Sequence, residues 1–257
     1  MVVEMRMCIS VRKGLERIIA VKTVSVEHRI STGTFTAKSM CPDNGENSMT
    51  DELRIAYLAK HNSLRSTLAL GAAKNGKNGT LLRQANRMPT LVYCCELEKA
   101  AYERAKQCSS MDSSLFGDVE NNKNFTTNLE RTLEQAGKNA IQLWWAEITA
   151  NGPIEQYQNL FYTHLGISSF AKIASDLTTG VGCSVVHCGS LINVVCYYET
   201  TLKNAAKLYN CGPYCKQCPG GEISCVNGLC PPTDEQCPTA TTPAATTTGN
   251  YKSSPNY

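Results

Sequence analysis

The sequence predicts a mixed α/β sandwich, in which helices flank a small sheet, followed by a segment that disulfide bonds hold together. The sandwich is predicted because stretches with helical periodicity alternate with short β-branched stretches over residues 41–205. The cross-linked segment is predicted because six of the 14 cysteines lie between Cys211 and Cys237, among glycine, proline and asparagine. A segment of that composition cannot build its own apolar core, so cross-links have to stabilise it.

Three helices are predicted from apolar residues that are spaced three and four positions apart. The first follows Thr50, a typical N-cap residue, and its apolar face runs from Leu53 to Leu68. The second is predicted over Cys95–Cys108 and the third over about residues 128–148.

Three short strands are predicted from β-branched and aromatic residues, over Leu91–Cys94, Val181–Cys188 and Leu191–Tyr198. The last two are joined by Gly189-Ser190, a pair that favours a tight hairpin turn. Helices mixed with an antiparallel pair of strands indicate layers of helices on a small antiparallel sheet.

Composition divides the chain into four regions. Residues 1–40 form a basic leader, residues 41–205 the α/β domain, residues 206–237 a cysteine-rich module, and residues 238–257 a tail rich in threonine, proline and alanine. The tail cannot bury apolar area and is expected to be disordered and O-glycosylated.

The cysteine count predicts a secreted, extracellular protein, since cytosolic chains rarely carry 14 cysteines. Two candidate N-glycosylation sites, Asn78 and Asn124, are consistent with that location. The short apolar pieces of residues 1–40 do not form a secretory signal. Two interpretations remain open: the authentic signal is absent from this sequence, or the leader is a disordered basic extension.

The formal net charge of +3 comes from the leader. Its seven basic and three acidic residues leave 18 basic against 19 acidic residues in the rest of the chain. The α/β domain therefore has no positive charge that would indicate binding to nucleic acid or to an anionic membrane. No stretch of the sequence is long and apolar enough for membrane insertion.

The usual catalytic signatures, GxSxG, the P-loop and HExxH, are absent from the sequence. His61 lies on the apolar face of the first predicted helix, and we interpret it as a structural histidine bonded to backbone. His164 and His187 have no defined nucleophile as a partner, so neither is predicted to be catalytic.

Six motifs resemble those of a known family: CPDNG at 41–45, MTDELR at 49–54, HNSLRSTLALG at 61–71, CELEKAAYERAKQC at 95–108, VGCSVVHC at 181–188 and VVCYY at 194–198. They are similar to the CAP superfamily of pathogenesis-related, cysteine-rich secretory and venom-allergen proteins, and within it to the Ancylostoma-secreted-protein group of parasitic nematodes. The segment ISSFAKIASD is similar to the neutrophil inhibitory factors of hookworms. The resemblance implies a three-layer α-β-α sandwich with a disulfide-rich hinge segment.

The resemblance also implies where a metal-binding cleft would lie, because many CAP proteins carry two histidines and two glutamates that can bind a divalent metal. Here the four positions fall on Asp112, Thr127, Glu147 and Ser169. The Gln of the family's signature falls on Lys172. One glutamate with an aspartate and two hydroxyls is a poor zinc ligand set and lacks an imidazole base. We therefore predict no bound metal, no cofactor and no catalytic residue.

Ten cysteines are candidates for structural disulfides: Cys41, Cys95, Cys108, Cys183, Cys188, Cys196, Cys215, Cys218, Cys225 and Cys230. A CxxC pair in the cysteine-rich module would suggest zinc or redox chemistry in the cytosol, but an extracellular location favours disulfides. The pairing cannot be deduced from spacing. The family's Tyr-x-Cys-Glu motif matches Cys95, which makes Cys94 an additional cysteine. Three alternatives are open for Cys94: a disulfide with Cys211, a disulfide with Cys237, or a free thiol.

For function, the resemblance implies a secreted, non-enzymatic protein that binds a host cell-surface or extracellular protein, such as a leukocyte or platelet receptor. Through that partner it would modulate immune or haemostatic responses. The alternative is the binding and carriage of a sterol or fatty acid in an apolar groove. A degenerate metal-dependent hydrolase that uses Glu147 is the third and least supported hypothesis.

Overall fold

The computed structural model describes residues 6–13, 16–23, 40–45, 47–108, 119–127, 131–232 and 237. The chain divides into two compact units, residues 1–38 and residues 39–257. In the first unit, strand β1 (Arg6–Lys13) pairs antiparallel with β2 (Glu16–Thr23). This hairpin is not predicted from the sequence, where basic residues interrupt short apolar pieces.

The second unit contains the predicted helices and strands, one further strand, one further α-helix and short 3-10 helices. Its helices are α1 (Asp51–Ala69), α2 (Cys95–Ala105), α3 (Leu133–Asn151) and α4 (Ser168–Ala174). Its strands are β3 (Val92–Tyr93), β4 (Glu120–Thr126), β5 (Thr178–Cys188) and β6 (Leu191–Thr200). Strand β4 and helix α4 are the elements that the sequence patterns do not predict. Within the described part of the chain, no helix combines the length and apolarity needed to cross a membrane.

Side-chain caps fix the helix starts. The hydroxyl of Thr50 accepts a hydrogen bond from the Leu53 N–H at 3.3 Å, so α1 begins at the predicted N-cap. Helix α3 begins later than predicted because Thr132 and Gln135 form a reciprocal capping box. Helix α2 ends at Ala105, before the predicted end at Cys108, whose backbone is left-handed with φ 53°.

The sheet of the second unit has the strand order β3-β5-β6-β4. Strands β5 and β6 form the predicted antiparallel hairpin, closed by the pairing of Cys188 with Leu191, and β4 adds to β6 antiparallel. Strand β3 departs from the prediction of an antiparallel sheet, because Val92 and Tyr93 pair parallel with β5. Parallel pairing is possible here because a long crossover containing α2, β4, α3 and α4 joins the two strands.

The three-layer α-β-α sandwich is confirmed by the residues on the two faces of the hairpin. Val186 and Val195 pack against α2 in one apolar cluster. Their neighbours Val185 and Val194 belong to the main core, which also contains buried residues of α1, α3 and α4. Successive residues of a strand point to opposite faces, so one helix covers one side of the sheet and three cover the other.

Gly182, in the motif VGCSVVHC, allows α2 to lie directly on the sheet. A Cβ atom at Gly182 would lie 2.2 Å from the Glu98 nitrogen and 2.6 Å from the Cys94 carbonyl oxygen. Because no side chain fits between these backbones, only glycine permits this distance.

Disulfides join the described cysteines in six pairs: Cys41–Cys95, Cys94–Cys237, Cys108–Cys188, Cys183–Cys196, Cys215–Cys225 and Cys218–Cys230. All ten candidates are bonded, and the additional Cys94 pairs with Cys237. Among the cysteines whose side chains the structure describes, Cys211 is the free one.

Candidate functional site: a polar cleft between two helices and the sheet

Glu147 on α3 caps the N-terminus of α4. One of its carboxylate oxygens accepts hydrogen bonds from the backbone N–H groups of Ser169, at 2.8 Å, and Phe170, at 3.0 Å. The N-cap residue of α4 is Ile167, whose apolar side chain cannot accept these hydrogen bonds. Burial raises the pKa of Glu147, and its bonds to Ser169 and Phe170 oppose that rise. The carboxylate is thus committed to holding α4 in place.

Lys172 is buried on α4, three residues after Ser169. Its Nζ donates to the backbone oxygen of Glu120 at 2.9 Å and to Oδ1 of Asn121 at 3.2 Å. Lys172 is only 6% exposed. The positive charge of Lys172 also lowers the pKa of Glu147, partly offsetting the effect of burial. A buried ammonium and a partly buried carboxylate therefore attract each other in the cleft.

Asn121 on β4 connects this pair to the core histidine. Its Nδ2 donates to the Ser169 carbonyl oxygen at 3.2 Å and to the Tyr198 hydroxyl at 3.1 Å. That hydroxyl lies 3.1 Å from Nε2 of His61. The polar network, as we call His61, Asn121, Glu147, Ser169, Lys172 and Tyr198, thus links α1, α3 and α4 with β4 and β6.

The structural interpretation of His61 is confirmed. The residue is fully buried, and its Nδ1 lies 2.8 Å from the Tyr57 carbonyl oxygen. Because a carbonyl only accepts, Nδ1 carries the proton and Nε2 accepts from the Tyr198 hydroxyl. Burial lowers the pKa of His61 to about 4, so the ring is neutral at physiological pH.

The rest of the HNSLR motif is also structural. Asn62 bonds both backbone groups of Leu91, at 2.8 and 3.1 Å. The guanidinium of Arg65 is fully buried and donates to four backbone carbonyls, those of Pro89, Ile173, Ser175 and Thr178. Burial lowers the pKa of Arg65 to about 9. The motif therefore fastens α1 to the ends of β3 and α4.

The structure brings together two of the four positions at which the family carries metal ligands. Ser169 and Glu147 are in contact. Thr127 lies at the β5–β6 turn, where its hydroxyl donates to the Ser190 carbonyl oxygen at 3.0 Å. It is six residues beyond Asn121 along an extended strand, which places it about 20 Å from the network. Strand β4 supplies Asn121 to the cleft instead. Asp112 lies outside the described residues.

Asn121, Lys172 and Tyr198 belong to the polar network, and the sequence analysis assigns no role in the cleft to any of them. A sequence signal existed for Lys172, which is the single charged residue in the short segment Ser168–Ala174. For Asn121 and Tyr198 the contacts depend on the register of β4 against β6, which a polar strand does not reveal.

The residues that the structure describes in the cleft do not fit a zinc ion. Zinc sites combine several imidazole, thiolate or carboxylate ligands in a tetrahedron. Among the described residues the cleft offers the hydroxyl of Ser169 and the carboxylate of Glu147, which already accepts two backbone N–H groups. His61, the one imidazole among the described residues of the network, has both nitrogens engaged. Lys172 adds a positive charge, which repels a metal cation.

Two further groups of potential ligands are also unsuitable for a metal. Cys215, Cys218 and Cys225 bring their sulfurs within 4.8 Å of one another, but each is in a disulfide. The same holds for Cys183 and Cys196, which lie near His61. The remaining histidines of the domain, His164 and His187, are exposed.

The two glycosylation candidates occupy different environments. Asn78 is exposed in a turn, and its Oδ1 accepts a hydrogen bond from the hydroxyl of Thr80 at 2.9 Å. Asn124 lies within β4 opposite Asn193, and its Oδ1 is buried without a hydrogen-bond partner.

The cysteine-rich module carries exposed apolar side chains. Ile223 is 97% exposed, Val226 is 69% exposed and Tyr214 is 49% exposed. Tyr214 also lines a depression of about 520 Å³ between the module and the end of α1, whose other lining residues are Leu70, Pro213, Cys215, Glu222, Cys225, Asn227 and Gly228. We call Leu70, Tyr214, Ile223 and Val226 the module surface.

Two of the proteins that are similar in sequence come from Ancylostoma caninum. The Ancylostoma secreted protein of Ancylostoma caninum is 31% identical over 198 residues, which cover 74% of this chain and 46% of that protein. Hookworm platelet inhibitor 1 of the same species is 29% identical over 180 residues, which cover 69% of this chain and 79% of that protein. The chain thus spans about half the length of the first relative.

Comparison with crystal structures also finds similar proteins. Na-ASP-1 superposes with a TM-score of 0.64 at 30% identity over 74% of this chain and 49% of that one. NaASP2, crystallised with Zn²⁺, superposes with a TM-score of 0.63 at 31% identity over 74% of this chain and 99% of that one. The profile of the cysteine-rich secretory protein family matches residues 58–198, more than half of the chain. The chain therefore belongs to the cysteine-rich secretory protein (CAP) family.

Proposed function

We propose that this protein is secreted, has no enzymatic activity, and binds a host cell-surface or extracellular protein to modulate immune or haemostatic responses. The observation that carries the proposal is the module surface, which exposes large apolar side chains on a segment fixed by two disulfides. Exposed apolar patches on a rigid frame are typical of protein-binding sites. The relative named for platelet inhibition supports a partner on blood cells.

The charges around the module surface favour a protein partner with an uncharged apolar patch. Lys216 and Glu222, which flank the surface, form an ion pair at 3.0 Å and neutralise each other. A neutral apolar surface is not complementary to an anionic lipid or a nucleic acid. The cleft supports no hydrolysis, because its carboxylate caps a helix and its imidazole is neutral and fully bonded.

The proposal can be tested by binding of the purified protein to intact platelets and neutrophils, measured by flow cytometry. The double variant Ile223→Ser, Val226→Ser should lose at least about tenfold in affinity, since two apolar anchors are removed. Leu143→Ser is the matched control, because Leu143 is 48% exposed on α3, outside the module, and should bind like the wild type. Equal binding by all three proteins would place the contact elsewhere.

The same purified protein can be used to distinguish receptor binding from the alternative function, lipid carriage. A carrier would take up sterol or fatty acid at one molecule per protein and show no saturable binding to cells. That combination would replace the proposed function with lipid carriage. Saturable binding to one cell type that protease treatment of the cells abolishes would support a protein receptor.

A further inference from the structure

We propose that the ammonium group of Lys172 permanently occupies the role that a divalent cation has in metal-binding members of this family. In this chain the cleft is closed by an internal charge and is not available to zinc. The inference is independent of the proposed host-binding function, since it concerns the polar network and not the module surface.

The first argument is the set of atoms that surround the ammonium. Lys172 Nζ contacts two oxygens, the backbone oxygen of Glu120 and Oδ1 of Asn121. The charge of Lys172 also acts on the carboxylate of Glu147. A hard divalent cation binds oxygen atoms, and here a backbone oxygen and an amide oxygen bind a covalently attached cation.

The second argument is connectivity. Asn121 on β4 contacts α4 twice, because its Oδ1 accepts from Lys172 and its Nδ2 donates to the Ser169 carbonyl. Glu147 in turn holds the N–H of Ser169. The chain of contacts Lys172–Asn121–Ser169–Glu147 fastens α4 to α3 and β4 without any added ion. A metal entering the cleft would have to break hydrogen bonds that position α4.

The third argument is the change in residue type at two positions of one helix. The family's histidine is replaced by Ser169, and its glutamine by Lys172, three residues later on the same face of α4. Losing an imidazole removes a zinc ligand, and gaining an ammonium adds repulsion to any cation nearby. Each change alone weakens a metal site, and the two together replace it.

The test compares zinc binding by the full-length protein without an affinity tag, using calorimetry and thermal unfolding. The variants are Ser169→His, Lys172→Gln and the double variant, with Lys203→Gln as a control that removes an exposed lysine. The wild type and the control should show no zinc-dependent rise in Tm. The double variant should bind zinc at least about tenfold more tightly than Ser169→His alone, because the ammonium that opposes the metal is gone.

Two results would overturn the proposal. One is a single saturable zinc site in the wild type that Glu147→Gln abolishes, since it would mean that the cleft binds metal with Lys172 present. The other is a double variant that binds zinc no more tightly than Ser169→His. If Lys172→Gln prevents folding, Lys172→Met in the Ser169→His background removes the charge and keeps most of the side-chain length. The same comparison then applies.

Discussion

The imidazole of His61 on α1 accepts a hydrogen bond from the hydroxyl of Tyr198 on β6, with 3.1 Å between Nε2 and the hydroxyl oxygen. Both residues are buried, and their rings meet edge to face at a centroid distance of 5.7 Å. The contact fixes the neutral tautomer of the imidazole. It also connects α1 to β6 within the polar network. A neutral buried histidine has a direct consequence for stability.

The free energy of unfolding should fall as the pH drops below about 6.5. Burial lowers the pKa of His61 from 6.5 to about 4, so the unfolded chain binds a proton in this window and the folded chain does not. The contribution of His61 is complete above pH 6.5 and is lost as the pH falls towards 4. Between pH 7 and pH 5 the loss should be about 2 kcal/mol.

Denaturant unfolding of the wild type and of His61→Gln at pH 7, 6 and 5 measures this effect. The variant should be less stable at pH 7, but the difference between the two proteins should shrink on acidification. Parallel pH profiles would show that His61 does not titrate as a buried neutral group.

Gly182→Ala should destabilise the protein by about 3 kcal/mol, because the added Cβ would lie 2.2 Å from the Glu98 nitrogen and force α2 away from the sheet. Gly189→Ala is the comparison: its Cβ has no neighbour within 4 Å, and only the left-handed backbone, φ 60°, costs about 1 kcal/mol. Thermal and denaturant unfolding give both values. A smaller loss at position 182 than at 189 would show that α2 can move without penalty.

Glycosylation should occur at Asn78 and not at Asn124. Asn78 is exposed in a turn, whereas Asn124 is paired within β4 and its Oδ1 is buried, so a glycan there would disrupt the sheet. In a eukaryotic secretion host, Asn78→Gln should abolish the mobility shift that N-glycosidase produces, and Asn124→Gln should leave it intact. A glycan on Asn124 in correctly folded protein would contradict this expectation.

Peptide mapping under non-reducing conditions should find Cys94 linked to Cys237, and Cys211 as a free thiol. Removing the bond with Cys237→Ser should cost about 3 kcal/mol. Cys211→Ser should leave both the other disulfides and the stability nearly unchanged. A peptide linking Cys94 to Cys211 would show that the alternative pairing forms.

The helices α1, α2 and α3 and the β5–β6 hairpin can be predicted because their apolar residues repeat with the period of the structure they form. Strand β4 cannot, since ENNKNFT is polar and becomes a strand only through its pairing with β6. Helix α4 has seven residues, too few for a periodic signal, and depends on Glu147 for its cap.

The candidate site shows the same division. Glu147 and Ser169 can be found from their motifs, because each follows a fixed spacing in the chain. Their partner Asn121 cannot, because the contact joins residues 48 positions apart through tertiary packing. Thr127 lies away from the cleft for a related reason. The register of β4 against β6 decides which residue of β4 contacts α4, and that residue is Asn121.

The Cys94–Cys237 bond makes attachment of the C-terminal tail independent of the backbone between Cys230 and Cys237. If a protease cut that connection, residues 237–257 would stay on the domain as part of a second polypeptide held by one cystine. The cut protein would run as one species in a non-reducing gel and as two after reduction. Any activity that resides in the tail would therefore survive proteolysis and end when the protein met a reducing environment.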